Sequence, residues 1–478
     1  MSLEAKRDLF FVDFIDGKKQ SSETTEKQDW QAELEAHVDK FNKTHASVVV
    51  GGKHRIMRNI NPEATHNQQT GVEFYNRSDL SLLYANTEIK VGEKIISNKF
   101  VDILANYLMA WAKHPKARTY TGGVVFLPGR KAPSDYFKTW QGFGVKPKQN
   151  EALLKPIFYH MKMVLCNGKE DLFEYLKKWI AYTLQYPDKQ AGSTIVARGE
   201  KGSGKGTLGY FLSNIWGKHA LQINNAKHLI GNFNAHLADV CFLFADEAFY
   251  SGDKKHEGVL KGLVTERTFM VERKGIDAIS QTNFLKIYMA TNANFAVPAS
   301  KDERRWCVLD VSSIHRGDRQ YFNELYRVCD SKEVQSAFLC DMLKIDLSDW
   351  HTGDIPESIG LREQRYHSLD NAGKWLFNSL LRGTFGVCGA SGNSNNWQES
   401  LTSDDIYLSY TNWCETAKTG EFRRLGEKEI WTYMGKIYKK ERDASGLRGK
   451  KGYFLGSLEN AISLFEAHEK VIIDEISG

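Results

Sequence analysis

The sequence predicts an α/β fold built on an open sheet with a phosphate-binding loop, preceded by an α+β segment and followed by a small separate domain. The nine residues GEKGSGKGT, from Gly199 to Thr207, lie between a strand-like run, STIVAR, and a helix-like run, LGYFLSNIW. Further strand-like runs alternate with helix-like segments from 191 to 313, which is typical of an open α/β sheet. A Gly/Ser/Asn-rich segment, 385–398, then precedes the last part of the chain.

Length and composition indicate several domains. A chain of 478 residues exceeds what one hydrophobic core usually serves. We predict an N-terminal α+β domain of unassigned role over 1–150, followed by two amphipathic helices over 151–190. A nucleotide-binding domain over 191–384, a linker over 385–398 and a C-terminal domain over 399–478 complete the chain.

Composition also excludes some classes of protein. No apolar run is long enough to span a bilayer and the N-terminus lacks the features of a secretory signal, so we expect no membrane partner and a cytoplasmic location. The seven cysteines contain no CxxC pair, and the fourteen histidines show no HExxH pattern. A metal held by protein ligands alone is therefore not expected.

The glycine-rich loop predicts a bound nucleotide triphosphate. Closely spaced glycines let backbone N–H groups face an anion, the following helix adds its positive N-terminal dipole, and Lys205 adds a point charge. The residue after Lys205 is Gly206, so the hydroxyl of the usual GK[ST] pattern comes one position later, at Thr207. Whether Thr207 contacts Mg²⁺ directly or through water stays open. The predicted nucleotide-binding residues are Gly199, Gly202, Gly204, Lys205, Gly206 and Thr207.

A second run predicts the groups that hydrolysis requires. The apolar residues of VCFLF lead to Asp246 and Glu247, as in a buried parallel strand that ends in two carboxylates. Asp246 would hold Mg²⁺ and Glu247 would orient or deprotonate the attacking water. An ordinary strand that ends in a solvated turn is the alternative.

Two later segments predict further groups at the nucleotide. FLKIYMATN ends at Asn292, whose amide could bridge the water and the γ-phosphate, although a plain strand-ending turn explains it as well. DERRW then places Arg304 and Arg305 before the strand-like WCVLDV, and an arginine supplied to a neighbour's nucleotide would make hydrolysis depend on assembly. Solvated ion pairs with nearby acidic residues are the alternative for both.

Between the acid pair and Asn292, Lys274 and Gly275 lie between two strand-like runs, as at the tip of a hairpin. A projecting Lys274, supported by Arg273, could grip a DNA phosphate. An exposed lysine on a turn without a function is the equal alternative.

The order of these motifs resembles that of the superfamily 3 helicases, in particular the phage and poxvirus-type primase-helicases. The strings GNFNAHL, DEAFYSGDKKHEGVLKGLVTE, VERKG and ATNANFAVPASKDERRW carry the resemblance over 151–313. It implies an AAA+-like ATPase that uses ATP and Mg²⁺, forms a ring, commonly a hexamer, on single-stranded or forked DNA, and takes part in phage replication. It also implies that the helices over 151–190 form a collar, that Asn292 is a sensor, and that Arg304 or Arg305 is the trans-acting finger.

The C-terminal segment predicts a DNA-binding domain. From 418 to 451 there are 11 Lys or Arg against 5 Asp or Glu, with aromatic residues interleaved, which suits nucleic acid. A helix followed by a basic turn and strand makes a winged-helix domain plausible, as the resemblance also suggests; a solvated surface is the alternative. The candidate DNA contacts here are Lys439, Lys440, Arg448, Lys450 and Lys451.

We therefore expect an ATP-dependent replicative DNA helicase. A nucleotide-gated DNA-binding switch or loader shares every motif, whereas a nucleotide kinase, suggested by GKGT, does not explain the acid pair and Asn292. Primer synthesis is not expected, because Asp13 and Asp16 lack the DxD spacing of clustered metal ligands. A separate primase or polymerase would then be a partner.

Overall fold

The computed structural model describes residues 24–59, 72–225, 234–247, 254–273, 276–387, 395–417, 424–442 and 449–476. The helices are α1 (Thr24–Thr44), α2 (Arg77–Leu83), α3 (Tyr107–Lys113), α4 (Lys155–Tyr159), α5 (Glu170–Gln185), α6 (Thr207–Trp216), α7 (Lys254–Thr265), α8 (Arg319–Asp330), α9 (Lys332–Met342), α10 (Ile359–Ser368), α11 (Asn371–Arg382), α12 (Ser403–Thr416), α13 (Glu427–Ile437), α14 (Leu458–Glu469) and α15 (Ile473–Ile476).

The strands are β1 (His45–Val50), β2 (Lys53–Asn59), β3 (Val72–Tyr75), β4 (Glu88–Ile96), β5 (Lys99–Asn106), β6 (Thr119–Tyr120), β7 (Gly123–Val125), β8 (Tyr136–Lys138), β9 (Thr194–Arg198), β10 (Ala220–Ile223), β11 (Phe242–Asp246), β12 (Thr268–Arg273), β13 (Ile276–Thr282), β14 (Lys286–Thr291), β15 (Trp306–Asp310), β16 (Ser400–Thr402), β17 (Lys439–Arg442) and β18 (Lys451–Phe454). They belong to two compact units, one formed by 1–125 and 132–139 and the other by 126–131 and 140–478.

The first unit contains both helices and strands, and it does not include 126–131 and 140–150, which the predicted N-terminal domain of 1–150 contains. Its sheet has the order β3-β2-β1-β6, and a separate antiparallel hairpin is formed by β4 and β5. Val38 and Phe41 of α1 pack with Trp111 of α3 in its core.

The run NKFVDILANYLMAWAKH, residues 98–114, does not form the single helix that its sequence indicates. The apolar spacing over 98–114 predicts one long helix, but β5 occupies 99–106 and only α3 is helical. Ser97 and Asn98 both have positive φ, at 50° and 61°, and form the tight turn that pairs β5 with β4. Asn106 then caps α3 by accepting a hydrogen bond from the Leu108 N–H at 3.0 Å.

The second unit is organised around a five-stranded parallel sheet of order β10-β11-β14-β9-β15. Alternate residues of the strands face two different clusters: Ile195 and Ala197 lie in one, and Val196 lies in the other. Both faces are therefore covered by apolar groups, which is why the strands read as continuous apolar runs. Polar groups that follow the strands emerge together at the carboxyl edge.

The helices expected to form a collar pack on one face of this sheet. Leu176, Trp179 and Ile180 of α5 share a buried cluster with Ile195 of β9 and Phe211 of α6. These helices are thus part of the core that covers the parallel sheet, and their role as a collar stays a prediction.

The C-terminal domain begins earlier than the sequence suggests. Trp375 and Leu376 of α11, which we assigned to the nucleotide-binding domain, are buried with Ile406 of α12 and Met434 of α13. Phe385, at the start of the expected linker, lies in the same cluster. The domain is completed by a sheet of order β16-β18-β17.

Several predicted features lie outside the described residues, namely Asp13, Asp16, Lys274, Arg448 and the linker segment 388–394. Within the described part of the chain, no helix combines the length and apolarity needed to cross a bilayer.

The close packing of α6 against β11 requires a glycine at position 209. A Cβ atom at Gly209 would lie 2.5 Å from Cδ2 of Phe244, which is closer than packed atoms can approach. We expect Gly209→Ala to lower the free energy of unfolding by about 1–3 kcal/mol, measured by chemical denaturation.

The control is Gly258→Ala in the exposed part of α7, where a Cβ would meet no atom within 4 Å. It should raise the free energy of unfolding by about 0.5–1 kcal/mol through helix propensity. Equal effects of the two substitutions would contradict this account of the packing.

Candidate nucleotide-binding site

The phosphate loop lies at the carboxyl edge of the parallel sheet. β9 ends at Arg198, α6 begins at Thr207, and the loop joins them. Gly202 and Gly204 have φ values of +82° and +90°, which favour glycine. A Cβ at Gly204 would also lie 2.8 Å from ring atoms of His160 and Phe322, so this position is crowded as well as left-handed.

The ammonium group of Lys205 lies at the centre of the site. Its side chain is 9% exposed, and Nζ lies 3.7 Å from Oε1 of Glu247. It donates hydrogen bonds to Oδ1 of Asn292 and, at 3.4 Å, to the carbonyl oxygen of Glu200. Lys205 is also fixed from behind, because the Tyr288 hydroxyl donates to its carbonyl oxygen at 2.6 Å. Three residues predicted separately are thus brought together.

The two carboxylates at the end of β11 differ in environment. Burial raises the pKa of Asp246 above its ordinary value, Glu247 adds to this shift, and Lys205 opposes it. Glu247 has φ +53°, which is uncommon for a residue with a side chain and occurs at functional sites. Its Oε2 accepts a hydrogen bond from the N–H of Asn292 at 3.2 Å.

The loop residues fit a phosphate group and its metal. The buried hydroxyl of Ser203 has no hydrogen-bond partner, so it is available as a donor in the loop. A Cβ at Gly206 would lie 4.0 Å from Oδ1 of Asp246, so this carboxylate faces the loop where the usual motif carries a hydroxyl. Magnesium in nucleotide sites is commonly held by one or two carboxylates together with substrate phosphates, and Asp246 is placed for that role.

Sequence reasoning missed His160. Its Nε2 lies 3.1 Å from the carbonyl oxygen of Gly204, and its Nδ1 lies 2.8 Å from the hydroxyl of Tyr321. Because a carbonyl only accepts, Nε2 carries the proton and Nδ1 accepts from Tyr321. The Tyr321 ring stacks on His315 with centroids 3.8 Å apart. A lone histidine in an apolar helix gives no local signal for a partner 44 positions away.

The two arginines have different surroundings. Arg305 is paired with the fully buried carboxylate of Glu303, with Nη1 3.0 Å from Oε1, whereas Arg304 is exposed. Both precede β15, and since β15 runs parallel to β9 they lie at the edge opposite the phosphate loop. Five residues of strand span roughly 16 Å, so Arg304 is remote from its own loop.

The candidate DNA contacts are distributed over two hairpins. β12 and β13 form the expected antiparallel hairpin that ends at Arg273 and Ile276. Lys439 and Lys440 lie exposed on β17, and Lys450 and Lys451 lie exposed at the start of β18.

Comparison with known proteins finds one family model and one curated phage protein that each match part of the chain. A family model described as a family of unknown function, DUF5906, matches residues 197–305, from the end of β9 to the residue before β15. A curated relative, the DNA primase-polymerase of Nitratiruptor phage NrS-1, is 24% identical over 206 residues. That alignment covers 41% of this chain and 28% of the relative.

Solved structures show a similar fold. An apo structure of the NrS-1 C-terminal region, residues 305–718, has a TM-score of 0.61 at 16% identity and covers 88% of this chain and 98% of its own. A second apo form of that region has a TM-score of 0.60 at 15% identity, covering 86% and 96% respectively.

Burial of His160 predicts a pH dependence of stability. Burial lowers the pKa of His160 from 6.5 to about 4. Below pH 6.5 the unfolded chain binds a proton that the folded site resists, so stability falls as the pH drops from 6.5 to about 4. The resulting decrease in the free energy of unfolding is about 3 kcal/mol at most.

We expect His160→Gln to reduce this slope in denaturation curves recorded across that pH range. The control is His54→Gln, which removes a histidine from an exposed position and so measures the effect of losing an imidazole outside the buried site. An identical slope for wild type and His160→Gln would refute the assignment.

Proposed function

We propose that this chain is an ATP-hydrolysing DNA motor of the superfamily 3 helicase type, acting in phage DNA replication. The observation that carries the proposal is the convergence of Glu247 and Asn292 on the buried ammonium of Lys205 behind a glycine-rich loop. A cation from the loop, a carboxylate and an amide from two adjacent strands form the set that nucleotide hydrolysis requires.

The strand order supports an AAA+-like arrangement. β14 lies between β11 and β9, so the strand that ends in the acid pair is one place removed from the strand that leads into the loop. Asn292 follows this intermediate strand and therefore stands between Lys205 and Glu247. This placement suits a group that reports the state of the γ-phosphate.

Each residue then has a defined role. Gly199, Gly202, Gly204 and Gly206 would expose backbone N–H groups to the phosphates, and Lys205 would neutralise their charge. Asp246, with Thr207, would hold Mg²⁺, which neutralises charge on the phosphate oxygens. Glu247 would accept the proton of the attacking water.

DNA as the partner is supported by the name of the phage relative and by the basic residues of the C-terminal domain. The β12–β13 hairpin connects the acid strand to the Asn292 strand, so a change at the nucleotide could displace it. A switch that binds DNA without unwinding it would share this geometry, and strand displacement distinguishes the two.

The first test is ATP hydrolysis with and without single-stranded DNA. We expect turnover that DNA stimulates, and we expect Glu247→Gln to reduce it by about 100-fold or more, because the general base is removed while the fold is kept. The matched control is Glu266→Gln, an exposed glutamate beyond α7, which should retain turnover. Turnover unaffected by Glu247→Gln would refute the proposed site.

A second test concerns the arginines. If Arg304 acts on a neighbour's nucleotide, Arg304→Ala and Lys205→Ala are each inactive, but mixing them should restore partial turnover at interfaces that combine an intact loop with an intact arginine. Arg305→Ala should instead lower thermal stability, because Glu303 would be left as a buried charge without its partner. Failure of mixing to restore turnover in assembled rings would refute the action of Arg304 on a neighbour's nucleotide.

A further inference from the structure

The C-terminal domain places one helix and one basic hairpin in direct succession. α13 ends at Ile437 and β17 begins at Lys439, so the helix leads straight into the β17–β18 hairpin. α12 and α13 pack through the buried side chains of Ile406 and Ile430. Two packed helices followed by a hairpin resemble the helix-turn-helix arrangement, in which the second helix enters the DNA major groove.

The outer face of α13 is polar and carries charges of both signs. Ile430 and Met434 are fully buried, which fixes the helix rotation. Lys428, Thr432 and Lys436 are exposed, and their spacing of four residues puts them on one face. Glu427 and Glu429 are exposed in the first turn of the same helix, so the positive charge is concentrated toward the C-terminal half, at Lys436.

Gly435 lies on the exposed side of α13, and the packing around it does not require glycine. It lies inside α13, is exposed, and a Cβ would meet Tyr453 at an ordinary distance of 3.8 Å. Glycine inside a helix lowers stability, so this residue is unexplained by packing. It leaves the backbone between Thr432 and Lys436 open to close approach by another molecule.

The hairpin extends the basic surface. Lys439, Lys440 and Arg442 lie exposed on β17, and Lys451 pairs with Arg442 across the strands. Glu441 offsets part of this charge through its contact with Lys439 at 2.8 Å.

The aromatic residues of this segment do not form a stacking surface for single strands. Trp431 donates to the Ser403 carbonyl at 2.9 Å, Tyr438 donates to the Ala461 carbonyl at 2.9 Å, and Tyr453 donates to the Trp431 carbonyl at 2.6 Å. Among the described aromatics from 424 to 455, Phe454 is the exposed one. The interleaving of basic and aromatic residues in the sequence therefore reflects a basic surface over an aromatic core.

We propose that the α13 face formed by Lys428, Thr432, Gly435 and Lys436 inserts into the major groove of duplex DNA, with the β17–β18 hairpin on the flanking phosphates. A helix about 10–12 Å wide fits a groove of about 12 Å. Single-strand sites instead combine a basic groove with exposed aromatics. The proposal rests on DNA as the partner of the proposed motor and assigns duplex recognition to this separate domain.

The test measures binding of the full chain, without nucleotide, to a short labelled duplex and to one of its strands alone. The double variant Lys428→Ala/Lys436→Ala should weaken duplex binding by about tenfold or more and reduce the salt slope of the binding constant by about two. Single-strand binding should change by less than about twofold. The control Lys332→Ala/Lys344→Ala removes the same charge at exposed positions of α9 and the turn after it, and it should bind duplex as wild type does.

A second variant distinguishes loss of DNA contacts from misfolding. Gly435→Gln adds a side chain without charge, so it should retain or raise the melting temperature and still weaken duplex binding by about fivefold or more. Unchanged duplex affinity in either variant, or equal loss for both forms of DNA, would overturn the proposal. If the wild-type chain binds duplex DNA but DNA does not stimulate its ATP hydrolysis, the proposed motor is refuted while the proposed duplex-binding site is not.

Discussion

The buried ammonium of Lys205 is the constraint on which the site depends. A charge that is nine-tenths buried is unfavourable unless polar groups surround it. In this fold those groups come from two neighbouring strands, as Asn292 after β14 and Glu247 after β11. The left-handed backbone of Glu247 follows from the same requirement, because it aims the side chain back toward the loop. Phosphate oxygens would meet the requirement equally well.

The parallel sheet and its edge residues could be predicted because their signals are local. Strands covered on both faces are continuous apolar runs, and the polar residue that ends each run must emerge at the carboxyl edge. Asp246 and Asn292 end two such runs and Lys205 follows a third, so the sequence predicts all three at one edge. The parallel register that pairs Asp246 with Ala290 and Thr291 with Arg198 brings those ends level.

The remaining features depend on contacts between distant segments. His160 and Tyr321 meet across 161 positions, and neither position shows a pattern that predicts the other. The strand β5 has helical apolar spacing, and it is the turn at Ser97 and Asn98 that pairs it with β4 instead. α11 has the apolar stripe of any packed helix, so its sequence could not show which of two domains it joins.

The segment of chain between Glu247 and Asn292 begins and ends at residues that are hydrogen-bonded to each other. Glu247 donates its N–H to the Ala290 carbonyl at 2.9 Å, and its carboxylate accepts from Asn292. The β12–β13 hairpin within this segment makes its own hydrogen bonds to another part of the chain. The Asn234 side chain donates to the Met270 carbonyl and accepts from the Glu272 N–H. A nucleotide that draws Glu247 or Asn292 away from Lys205 would therefore act on both ends of this segment, and a displacement of the hairpin would also involve its hydrogen bonds to Asn234.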